Sequence, residues 1–101
     1  MRIHGKIVMR RPPPRRRGLS DEILAILSAD GDPKAFELLV RRYCSAVYRL
    51  VSGHVHCSDE AEKIVIDVFA VLRWELRTAR EARPVCTVLS RIIADRLPGA
   101  R

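Results

Sequence analysis

Between Asp32 and Gly53 the apolar residues Phe36, Leu39, Val40, Tyr43, Val47, Leu50 and Val51 recur every three or four positions. That spacing returns to one side of a helix on each turn and would scatter over both faces of a strand. It therefore predicts a long amphipathic helix with one buried stripe. Its ends are marked as well. Asp32 is a cap residue, Pro33 occupies the first helical position, where a missing N–H costs nothing, and Gly53 is a reasonable stop.

The same reading yields three more helices. The first follows Ser20, with Asp21 and Glu22 near the positive end of its dipole, Ile23, Leu24, Ile26 and Leu27 on its apolar side, and Asp30-Gly31 closing it. Another starts at Ser58 behind Asp59, Glu60 and Glu62, with Ala61, Ile64, Val65, Val68, Leu72 and Leu76 facing inward. The last follows Pro84, carries Val85, Val88, Leu89, Ile92, Ile93 and Leu97, and ends at Pro98-Gly99. No stretch alternates with a period of two over the length of a strand. The expected fold is all-α, a compact bundle of about four helices spanning residues 19–101. Residues 77–84 join the last two helices as a loop or frayed end that places Arg77, Arg80 and Arg83 at three-residue intervals.

Charge divides the chain differently. Residues 1–18 hold seven basic side chains and no acid, which is the whole of the +7 net charge, so residues 19–101 are neutral. Proline-rich, arginine-rich sequence cannot build a core, and residues 1–18 are expected to be a disordered basic tail. Within the neutral part, residues 19–72 carry five basic and nine acidic groups, and residues 73–101 carry seven Arg against three acids. Such polarity suits two surfaces with different partners, the basic one matched to phosphate.

Several classes are not expected. The longest apolar run is far short of the roughly 20 residues that cross a bilayer, and no signal-like apolar block follows the basic N-terminus, so neither a membrane span nor secretion is expected. Three widely spaced cysteines, Cys44, Cys57 and Cys86, read as reduced thiols of a cytoplasmic protein. His54, His56, Cys57 and Cys44 do not form a recognised metal-ligand spacing, and no phosphate-binding glycine loop or nucleophile–base–acid set can be assembled. No metal, cofactor or enzymatic activity is expected.

Three stretches, in order, carry a resemblance. Gly31-Asp-Pro-Lys-Ala-Phe-Glu-Leu-Leu-Val-Arg-Arg-Tyr43 resembles the opening of conserved region two of the extracytoplasmic-function sigma factors, within the bacterial sigma-70 family. Ser58-Asp-Glu-Ala-Glu-Lys-Ile-Val-Ile-Asp-Val-Phe69, followed by Trp74, is similar to that family's acidic helix. Pro84-Val-Cys-Thr-Val-Leu-Ser-Arg-Ile-Ile-Ala-Asp95 is similar to its promoter-reading helix. The resemblance covers residues 20–97 and implies a transcription-initiation domain. By that resemblance, Asp59, Glu62, Lys63, Ile66 and Asp67 would meet the clamp helices of the largest subunit of core RNA polymerase. Arg77, Arg80, Arg83, Thr87, Ser90 and Arg91 would hold the melted non-template strand of promoter DNA, the arginines lining one shared groove.

The chain departs from the pattern at informative places. Lys63 and Ile66 stand where the family usually has Asp and Gln, Val88 where it commonly has Trp, and Ala94-Asp95 where it has Arg-Asn. A charge reversal at Lys63 disturbs a complementary contact. The alternative is thus a divergent sigma-like interaction module that binds an anti-sigma factor or another regulator without reading a promoter. A helical DNA binder driven by the arginine tail alone is a third possibility.

Overall fold

The computed structural model describes residues 19–79 and 83–97, in four helices: α1 (Asp21–Ala29), α2 (Pro33–Ser52), α3 (Ser58–Thr78) and α4 (Val85–Arg96). The expected tail, residues 1–18, and Arg80 lie outside the described residues. The boundaries follow from the local chemistry. Ser20 Oγ accepts from the Ile23 amide at 3.2 Å, and Asp32 Oδ1 accepts from the amides of Lys34 and Ala35 at 3.0 and 3.3 Å. Between the two caps the chain turns sharply. Gly31 takes φ +100°, its N–H donates to the Ser28 carbonyl, and the Asp32 N–H donates to the Leu27 carbonyl, both at 3.0 Å. This double closure of a helix end needs a left-handed residue, which glycine supplies without a Cβ penalty.

In α2 the buried residues are Ala35, Leu39, Tyr43, Val47 and Val51, spaced by four, with Phe36, Val40 and Leu50 half-buried along the margin. Helix α3 buries Ala61, Val65, Val68, Phe69 and Leu72, and α4 buries Val85, Val88, Leu89, Ile92 and Ile93, with Leu97 just beyond it. Helix α3 packs against each of the other three, while α1 touches α4 only thinly. The inner side of α3 is therefore fully used, and its outer side is held in a fixed orientation.

Helix α1 differs from the expected pattern. Leu24 is buried and Leu27 half-buried, but Ile23 and Ile26 are exposed. Its inward side is Asp21, Leu24 and Ser28, at three- and four-residue spacing, so adjacent positions on this short helix turn outward. Asp21 does more than favour the helix dipole. Its buried carboxylate accepts from Arg42 Nη1 at 2.6 Å and from the Tyr43 hydroxyl, tying the start of α1 to the middle of α2.

Candidate functional site

Helix α3 carries most of the candidate residues because it is long, central and bare on one side. Its first ten residues hold Asp59, Glu60, Glu62 and Asp67 against Lys63, whereas its last eleven hold Arg73 and Arg77 against Glu75. Charge therefore changes sign along one helix.

All five residues assigned to the protein-facing set are exposed: Asp59, Glu62, Lys63, Ile66 and Asp67. They fall on successive turns of one side. Ile66 is 66 % exposed, which leaves a large branched side chain in water. Asp67 is joined to Arg96 of α4 at 3.1 Å, an ion pair between half-exposed groups.

The strand-facing set is divided. Arg83 lines an open groove of about 660 Å³ between α1, the end of α3 and the start of α4, with Ala25, Ile26, Leu76 and Val88 as its apolar walls and Glu22 and Glu75 at its margin. Arg77 instead lines a second depression of about 420 Å³ on the outer side of α3, with Ala70, Arg73, Trp74 and Thr78. Thr78 borders both, so the two hollows adjoin across the last turn of α3.

Arg91 joins neither hollow as a free cation. Its guanidinium reaches Glu75 Oε2 at 2.5 Å and Asp95 Oδ2 at 3.6 Å, which neutralises it between α3 and α4. The expectation of a single arginine-lined groove is thus not what the described residues form. Arg77 and Arg83 have no ion-pair partner among the described residues, but they face adjoining hollows. Thr87 is exposed on the outer side of α4. Ser90 is half-buried, and its hydroxyl donates to the Cys86 carbonyl at 2.8 Å.

Two further residues shape this end of α3. Trp74, three residues before Arg77 in the sequence, stands 65 % exposed. Arg73, assigned no role from the sequence, lies over the Phe36 ring with its guanidinium carbon 5.6 Å from the centroid. The spacing 70, 73, 74, 77 and 78 was the available signal, since residues three and four apart share a helix face.

Among the described residues no group of three His, Cys, Asp or Glu side chains could hold a metal ion, and no helix is long and apolar enough to cross a membrane. Cys44 and Cys57 are exposed and Cys86 half-buried, all three as free thiols. His54 Nδ1 lies 3.0 Å from the Leu50 carbonyl. The chain matches no model of a known protein family, no curated protein and no solved structure.

Proposed function

We propose that this chain is a sigma-like transcription-initiation domain that docks on core RNA polymerase through the outer side of α3 and meets promoter DNA at that helix's C-terminal end. The observation that carries the reading is the run Asp59, Glu62, Lys63, Ile66 and Asp67, all exposed on one side of a helix whose other side is fully packed. A rigid helix with an unpartnered Ile66 ringed by charge has the composition of a small protein contact: an apolar centre with a polar rim. The basic end adds the second half. Arg83 borders the groove at the junction of α3 and α4, where the resemblance puts the melted strand, and Arg77 borders the adjoining hollow on the outer side of α3. A cytoplasmic location goes with this function.

A second reading is favoured by one specific feature. Arg91 is held by Glu75 and Asp95, which removes a phosphate contact from α4. In that reading the same α3 face binds an anti-sigma factor or another regulator, and promoter reading is lost.

The test is retention of the full chain on bacterial core polymerase at a salt concentration that screens the arginine tail. Wild type is retained, and Lys63→Asp combined with Ile66→Gln, which restores the residue types of the family, is retained more strongly. If neither chain is retained, the polymerase reading is refuted and the regulator-binding reading takes its place.

A further inference from the structure

We infer that Trp74 is a stacking platform for an unpaired nucleobase, with Arg73 and Arg77 holding the phosphates on either side of it. The inference rests on the proposed function for its biological setting, but its chemistry is local to α3. Trp74 is 65 % exposed, although an indole is the largest apolar side chain a protein can bury. It lines one depression on the outer side of α3 with Arg77, three residues on and on the same face, and with Arg73, one residue before it and about 100° round the helix, where it flanks the indole.

The charge of the site selects the ligand. An exposed aromatic ring flanked by cations matches single-stranded nucleic acid, in which every base has a π-face and every linkage a negative charge. Arg77 has no ion-pair partner among the described residues. Arg73 is steadied by the Phe36 ring at 5.6 Å, so its guanidinium is placed without being neutralised. The acidic residues of α3 lie at its other end, and Glu75, the one acid within this stretch, is turned into the neighbouring groove and bound to Arg91. Thr78 borders both this depression and the groove that holds Arg83, so a further cation stands beyond the last turn of α3. Duplex DNA keeps its bases stacked inside and cannot use such a platform.

Trp74 is the only tryptophan in the chain, so its emission reports on this site alone. The full chain is titrated with an oligothymidylate, and in parallel with an abasic strand of equal length and charge, which the basic tail binds equally well. Quenching by the thymidylate and not by the abasic strand is the expected result. Anisotropy of a labelled thymidylate then gives affinities for the variants. Trp74→Ala weakens binding about fivefold or more, the scale of one base–aromatic stack, whereas Trp74→Phe retains most of it. Arg77→Gln lowers the slope of log affinity against log salt by about 0.7, one single-strand phosphate contact.

Equal quenching by the abasic strand overturns the inference, because phosphate contact then explains the signal without a base. Binding that leaves Trp74 emission unchanged overturns it as well. So does a signal from 5-hydroxytryptophan incorporated at position 74, excited where the tryptophans of core polymerase do not absorb, that responds to the polymerase and not to the strand, which assigns the indole to a protein contact. These outcomes are read without reference to Lys63 or Ile66, so the polymerase reading stands or falls separately.

Discussion

The strongest structural lever outside the candidate surfaces is Asp21. Its side chain is 2 % exposed and accepts from Arg42, itself only 18 % exposed, and from the hydroxyl of Tyr43, which is fully buried. Asp21→Ala takes the carboxylate acceptor away from Arg42 and from Tyr43. Losing a hydrogen bond to a charged acceptor costs about 1.5–3 kcal/mol, and removing one partner of a buried ion pair costs about 3–5 kcal/mol. These overlap, so about 3–5 kcal/mol is expected for the substitution. A small domain holds about 0.05–0.15 kcal/mol of stability per residue, so this is a large share of the total. Urea unfolding followed by helical circular dichroism should show the midpoint falling by about 2–5 M, because the slope of so small a protein lies near the low end of about 1–3 kcal/mol per M. Adding Arg42→Met to Asp21→Ala should recover part of the loss, because no unpaired charge is then buried. A loss below about 1 kcal/mol for Asp21→Ala would show that Arg42 and Tyr43 are readily rehydrated and that the carboxylate does not fasten α1. The consequence reaches the candidate site, since α1 supplies the Ala25 and Ile26 wall of the groove that holds Arg83.

Two further substitutions probe the same framework. Ser28 is buried in α1 with no hydrogen-bond partner for its hydroxyl among the described residues, so Ser28→Ala should raise the urea midpoint, by about 1 kcal/mol of stability; a loss would mean the hydroxyl is satisfied. Glu75→Gln removes the charge closest to Arg91 while keeping the shape of the groove margin. Single-strand affinity should rise, with the salt slope steeper by about 0.7, and an unchanged slope would place Arg91 off the path of the strand.

Much of the fold is legible in the sequence because α1 and α2 are bounded by residues with local reasons to be there. Ser20, Asp32, Pro33 and Gly31 act within three or four residues of themselves, so their chemistry needs no tertiary knowledge. The stripes of α2, α3 and α4 are legible for a related reason: a long helix samples its period often enough to fix one inward side. Helix α1 has nine residues, too few turns for Ile23 and Ile26 to be assigned, and its inward side is fixed by a polar residue. The bond from Asp21 to Arg42 joins residues 21 apart in sequence, and no spacing rule announces it. The same limit applies to the site. Exposure of the α3 set follows from helical period, whereas the capture of Arg91 by Glu75, 16 residues earlier, depends on how α4 lies across α3.

Helix α3 also constrains how its two proposed ligands could share it. Ile66 and Trp74 are eight residues apart, about 12 Å along the axis at 1.5 Å per residue, and a helix with its side chains is about 10 Å across. A partner helix lying nearly parallel to α3 over Ile66 would run on across Trp74 and cover the stacking surface. A partner crossing steeply would occupy one or two turns around Ile66 and leave Trp74, Arg73 and Arg77 open. The sign change in charge favours the steep crossing, because a parallel partner would have to match acidic turns at one end and arginines at the other while displacing an anionic strand. With core polymerase bound at Ile66 in that manner, thymidylate should still quench 5-hydroxytryptophan incorporated at position 74 and excited apart from the polymerase tryptophans, and loss of the quench on adding polymerase would place the partner helix along α3 instead.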